Sequence, residues 1–179
     1  MSNSVIVVLA PPPVTRYSLF LPSEVPTGAG PLAGSLNAGI AFFVSVACNL
    51  IAIRFYKRSD DPDTSHTVNL WDVASHAKLA EAVSSSEPAS GWVEVPLSTP
   101  VPLTANKAYY VTFFMPSGYY SYTDGYFGAA VTRGPITGYQ DGTVPGGLVA
   151  NTGIYHFGSV PTYPDSGYPA NYWADVVVD

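Results

Sequence analysis

Apolar and polar residues alternate along this chain in short, evenly spaced runs broken by Gly, Pro, Ser and Asn. The clearest runs cover residues 51–56, 68–73, 92–95, 109–114 and 172–178. Period-two alternation over four to eight β-branched and aromatic residues, bounded by turn formers, predicts strands with one buried face. A strand over 39–46 puts Ile40, Phe42, Val44 and Val46 on one face. In the next, Ile51, Ile53 and Phe55 share a face, with Arg54 and Tyr56 opposite. Runs 68–73 and 78–83 flank Ala74-Ser75-His76-Ala77 as a hairpin. In 92–97, Val93, Val95 and Leu97 point inward, and Pro96 on the other face marks an edge or a bulge. Residues 108–115 are apolar on both faces, which predicts a central strand covered on both sides. Beyond Pro116 the chain is rich in Gly and Tyr, with short strands at 126–131 and 153–157 and a last one at 172–178. The composition of 77–86 suits a helix, but its place in a hairpin favours strand. The expected fold is all-β, an antiparallel β-sandwich of jelly-roll type, formed by residues 17–179 after an extended arm at 1–16.

The arm carries Val5, Ile6, Val7, Val8 and Leu9, then Pro11-Pro12-Pro13. The prolines make a stiff turn and exclude a spanning helix. Two readings stand: an edge strand of the domain's own sheet, or a strand donated to a neighbouring subunit. The stretch after Met1 has no Lys or Arg, so no cleaved export signal is expected.

Composition narrows the partners. At 47% hydrophobic over 179 residues, the chain can fold around a core without metal or disulfide support. Only 11% is charged, so Ser, Thr, Asn, Gly and Tyr must cover the surface, as on secreted or virion-exposed modules. A net charge of -6 argues against nucleic acid, and no basic amphipathic stretch suggests membrane insertion or surface binding. The lone Cys48 makes no intrachain disulfide and reads as a small buried hydrophobe near a strand end.

Chemistry-bearing motifs are sparse. Of the three histidines, His66 lies beside an acidic loop, where it would pin that loop to the following strand. There is no Gly-x-Ser-x-Gly elbow and no His-Glu-x-x-His pair. The glutamates are Glu24, Glu81, Glu87 and Glu94; nothing pairs them as glycoside cleavage requires, and Glu81 and Glu94 alternate outward. Enzyme activity is not expected. Asp60, Asp61 and Asp63 offer oxygen ligands to Ca²⁺, but their spacing fails the EF-hand pattern. A solvated acidic loop is the competing reading, and no cofactor is expected. The best binding candidates are tyrosines among Gly, Ser and Asp: Tyr119, Tyr120, Tyr122, Tyr126 and Tyr168, with Tyr139 and Tyr163 in similar loops. Such rings offer a flat apolar face and a hydroxyl at low entropic cost; alternatively they cover the ends of the sandwich. Trp71, Trp92 and Trp173 fall within strand patterns and are expected in the core.

Taken in order, Ser18-Leu19-Phe20, Ile53-Arg54-Phe55-Tyr56-Lys57, His66-Thr67, Leu70-Trp71, Ser90-Gly91-Trp92, Pro100-Val101-Pro102-Leu103-Thr104-Ala105, Tyr109-Tyr110-Val111, Gly118-Tyr119-Tyr120, Gly134-Pro135, Gly153-Ile154-Tyr155 and Asn171-Tyr172-Trp173 form a pattern. It resembles the family of bacterial domains of unknown function numbered four thousand and eighty-two. That resemblance implies a β-sandwich accessory module of secreted, multidomain surface proteins and polysaccharide-acting enzymes, and no known catalytic residue. With Met1 intact and no export signal, the expected role is a non-enzymatic accessory protein of a phage virion, on capsid or tail, located on the particle. Its partners would be virion proteins and copies of itself. The alternative is a carbohydrate-binding module for cell-wall or surface glycan, at a bacterial surface or secreted. An esterase or glycosidase comes third.

Overall fold

The alternating runs pair into two antiparallel sheets whose inner faces share one core. The computed structural model describes residues 15–30 and 34–179, so Val5, Ile6, Val7, Val8 and Leu9 lie outside the described residues. Among those described, every regular element is a strand: β1 (Tyr17–Ser18), β2 (Gly28–Ala29), β3 (Leu36–Val44), β4 (Cys48–Lys57), β5 (Thr67–Asp72), β6 (Lys78–Val83), β7 (Gly91–Leu103), β8 (Tyr109–Met115), β9 (Ser121–Asp124), β10 (Val131–Arg133), β11 (Ile136–Gly138), β12 (Gly153–Phe157), β13 (Ser166–Tyr168), β14 (Ala170–Asn171) and β15 (Ala174–Val178). One sheet runs β1-β15-β4-β7. The larger runs β10-β11-β3-β8-β5-β6, and β12, which carries β13, shares an edge of β3 with β11. A small third sheet, β14-β9-β2, joins segments far apart in sequence.

The core lies between the two large sheets. Ile53, Phe55, Val93, Val95 and Val176 from the first pack with Ile40, Val68, Leu70, Val111 and Phe113 from the second. Phe55 stacks on Phe113 with centroids 4.7 Å apart. Each large side chain so buried contributes about 1.5–3 kcal/mol. The outer face of the larger sheet is also covered. Ala41, Trp71 and Tyr110 pack against Val144 and Ile154, with Tyr139, Val149 and Tyr163 over them. Every residue of β8 is therefore buried, as its two apolar faces predict.

The β5–β6 hairpin and β12 match the sequence expectation. Three details differ, each for a physical reason. β3 ends at Val44, and Val46 is 57% exposed; the Ser45 N–H already bonds the Pro135 carbonyl as the chain leaves the sheet. In β4 the pairing shifts between Leu50 and Ala52, opposite a jump from Val101 to Pro96 on β7. That bulge inverts the alternation, so Leu50 enters the core with Ile53 and Phe55, while Ile51 is half-exposed. Pro96, which has no N–H for the ladder, sits beside it on the edge strand. The expected strand over 126–131 is replaced by β9 and the β10–β11 hairpin.

One polar group holds the first sheet to the entering chain. The Asp175 carboxylate is fully buried and accepts from Leu19 N at 2.9 Å, Phe20 N at 3.1 Å and Arg54 Nε at 2.8 Å. Arg54 also lies 4.3 Å over the Trp92 ring. Around it Phe20, Trp92, Tyr126 and Trp173 form one aromatic cluster. Trp71 and Trp173 are buried and Trp92 half-buried, as expected of core tryptophans.

Candidate functional site

Three separate stretches of chain turn aromatic side chains into one cleft. Residues two apart on a strand share a face, so Tyr120, Tyr122 and Asp124 run along one side of β9 and its approach. On β12 the same rule groups Tyr155 with Phe157. β13 pairs with β12 and ends at Tyr168; β14 pairs with β9 and is followed by Tyr172. These seven residues and Leu36 line a cleft of about 280 Å³, near the lower end of the ~300–1,000 Å³ typical of small-molecule sites.

The rings form a continuous wall. Centroid distances are 5.5 Å for Tyr155–Phe157, 6.1 Å for Tyr155–Tyr172, 5.7 Å for Tyr172–Tyr120 and 6.1 Å for Tyr120–Tyr122. Tyr172 is the floor at 7% exposure, while Phe157 and Tyr168 stand at the mouth at 54% and 49%. The backbone leaves room for this wall at Gly30, whose N–H donates to the Tyr120 carbonyl at 2.9 Å. A Cβ there would lie 2.0 Å from the Tyr120 ring, so no larger residue lets that ring lie where it does.

Several tyrosines outside the cleft commit their hydroxyls to protein partners. Tyr126 OH donates to Glu24 Oε1 at 3.1 Å, Tyr163 OH donates to the Val73 carbonyl at 3.1 Å, and Tyr109 OH accepts from Thr104 N at 2.9 Å. Among the described residues, the hydroxyls of Tyr120, Tyr122, Tyr155, Tyr168 and Tyr172 make no such bond. Burial pushes the Tyr120 and Tyr172 phenols above their ordinary range, and neighbouring phenols and Asp124 add to it. They are neutral at pH 7, each a free donor and acceptor beside an apolar face. Asp124 is exposed, and it is the one carboxylate among the lining residues, which include no His, Cys, Ser, Lys or Arg.

Of the tyrosines singled out by sequence, Tyr120, Tyr122 and Tyr168 are in the cleft. Tyr119 instead lies over the Arg58 guanidinium at 5.2 Å. Tyr126 is drawn into the aromatic cluster of Phe20 and Trp173, so its expected outward role does not hold. Sequence reasoning missed Tyr155, Phe157, Tyr172 and Asp124. The period-two spacing of Tyr155 and Phe157 inside a predicted strand was the available signal.

The acidic loop is split: Asp60 turns to another partner, while Asp61 and Asp63 stay close. Asp60 pairs with Arg58 at 2.7 Å. Asp63 accepts from Ser117 N at 2.9 Å and Ser117 Oγ at 2.7 Å. Asp61 lies 3.0 Å from His66 Nε2 and accepts from Asp63 N at 2.9 Å. The buried His66 also bonds Glu87 at 2.8 Å through Nδ1, and Lys57 reaches Glu87 at 2.8 Å. Burial opposes a charge on His66, but Asp61 and Glu87 outweigh it and raise its pKa. Burial likewise opposes ionisation of Glu87, yet Lys57, Ser84 and His66 hold it below the usual range. Asp61, Asp63 and His66 thus come together, and Asp60 does not join them. Asp61 Oδ1 and both oxygens of Asp63 already accept from protein donors, and Asp61 Oδ2 lies beside His66 Nε2, so the set ties the loop to β5 and the β8–β9 turn, the pinning role expected of His66. Cys48 is half-buried at the start of β4; burial, with Asp179 nearby, raises its thiol pKa, away from the reactive thiolate.

Fold and cleft together define a β-sandwich module with a ring-sized aromatic recess. Residues 23–174 match the family described as Domain of unknown function (DUF4082), and the chain belongs to that family. No curated protein matches the chain.

Proposed function

We propose that this chain is a non-enzymatic binding module whose cleft holds a sugar ring of a surface glycan. The observation that carries this reading is the wall of Tyr120, Tyr122, Tyr155, Phe157, Tyr168 and Tyr172 with free hydroxyls. A pyranose has an apolar face rimmed by hydroxyls, and this surface complements both: rings stack, and phenols donate or accept at the edge. Turnover is disfavoured because glycoside cleavage takes two opposed carboxyls, and among the described lining residues Asp124 is alone. The few charged side chains, 11% of the chain, support display outside a cell, on a virion or a bacterial surface. The assembly role proposed for Val5, Ile6, Val7, Val8 and Leu9 is separate, and the cleft's reading does not depend on it.

A glycan array probed with the folded protein tests the reading. Hits are expected, and they are expected to disappear with Tyr168→Ala, at a half-exposed position at the mouth, with thermal unfolding checking that the fold is kept. An array without hits, or hits unchanged in that variant, overturns it.

A further inference from the structure

We propose that the group held in the cleft is a cation, a protonated amino sugar or a quaternary ammonium substituent. This rests on the cleft being the glycan site. Six aromatic rings line one recess, and a ring carries the negative pole of its quadrupole on its face. Asp124 is the one acidic side chain among the lining residues. The basic side chains near the cleft already have protein partners. Arg58 donates to the Tyr120 carbonyl at 3.1 Å and to the Gly30 carbonyl at 2.7 Å, and it is matched by Asp60 through Nε at 2.9 Å and a second contact at 2.7 Å. His156, on the same strand as Tyr155 and Phe157, is paired with Asp165 at 3.0 Å. The lining therefore offers aromatic rings and one carboxylate, and no lining residue is a Lys or Arg. A cation gains over the ring faces and from Asp124, a neutral sugar gains stacking alone, and a phosphate or uronate is repelled.

The experiment is isothermal titration of the whole chain at low salt with three probes: a glucosamine oligomer, the N-acetylglucosamine oligomer of the same length, and choline. At pH 6 the glucosamine oligomer is expected to bind at least about tenfold tighter than its neutral counterpart, and less so as salt screens the charge. Raising the pH to about 9 removes the amine's charge and the advantage, whereas choline, permanently charged, is unaffected. Asp124→Asn, at an exposed position, is expected to cut the charged oligomer's advantage over the neutral one severalfold, with thermal unfolding confirming the fold. Choline binding without glucosamine binding supports the cation and assigns its source to a quaternary ammonium. Equal affinity for charged and neutral oligomers overturns this inference and leaves the glycan reading standing. Silence from all three probes overturns this inference, and the glycan array decides the glycan reading separately.

Discussion

Two aromatic assemblies meet at the dipeptide Tyr172-Trp173, and they are built to opposite ends. On one side Trp173 joins Phe20, Trp92 and Tyr126, with each polar edge tied off. Trp173 Nε1 donates to Thr123 Oγ1 at 3.1 Å, Trp92 Nε1 to the Glu24 carbonyl at 3.1 Å, and Tyr126 OH to Glu24. On the other side Tyr172 joins Tyr120 and Tyr155 in an open cleft whose hydroxyls are free. Both assemblies include a carboxylate. In the sealed one Asp175 holds Arg54, which lies over Trp92; in the open one Asp124 has no protein cation among the lining residues. The sealed cluster thus contains its own cation and hydrogen-bond partners, and the cleft leaves both to a ligand. The two separate at Trp173, whose φ of 58° ends the alternation before β15. The Asn171 side chain accepts from Trp173 N at 2.7 Å and holds that turn.

If this contrast is right, mutations on the two sides separate stability from binding. The largest effect is expected for Asp175→Ala, which leaves Arg54 buried without its partner and frees the N–H groups of Leu19 and Phe20. A loss of about 3–5 kcal/mol in urea unfolding is expected; a loss below about 1 kcal/mol contradicts the sealed reading. Next is Tyr126→Phe, expected to cost about 1 kcal/mol at neutral pH through the lost bond to Glu24. It also alters the alkaline response. Burial, with Glu24 beside it, pushes the Tyr126 phenol from 10.0 up to about 12. A raised pKa means the folded state holds the proton more tightly. The contribution is complete below pH 10 and is lost as pH climbs toward 12. Stability of the Tyr126→Phe variant is therefore expected to fall less steeply over that window, as followed by urea midpoints; parallel curves count against it. The smallest effect on stability is expected for Tyr168→Ala, within about 0.5 kcal/mol, with glycan binding lost. A large destabilisation there places Tyr168 with the structural rings instead.

Much of this contrast was legible in the chain's local pattern, and the remainder depends on pairing. The β5–β6 hairpin, the doubly buried β8 and β12 follow from local alternation, because each pattern and its turn lie within a few residues. The parity change at Leu50 depends on a bulge facing Pro96, and sequence pointed to Pro96 without telling which partner would shift. In the site, the Gly, Ser and Asp around Tyr120, Tyr122 and Tyr168 marked exposed rings. The same context surrounds Tyr126, which is claimed by Glu24, 102 residues away. Tyr155 and Tyr172 reach the cleft only because β12 pairs with β13 and β14 with β9. No local signal carries such pairings. The acidic loop shows the same limit: Asp60, Asp61 and Asp63 adjoin in sequence, but Arg58 takes Asp60 away while Asp61 and Asp63 stay together with His66.

The most direct test of the cleft's role is an amide and aromatic chemical-shift map of the protein titrated with a glycan it binds. The account predicts saturable shifts confined to Tyr120, Tyr122, Asp124, Tyr155, Phe157, Tyr168 and Tyr172, with Tyr126 and Trp92 unmoved. Shifts centred on the 58–66 loop or on the sealed cluster, with the cleft silent, contradict it.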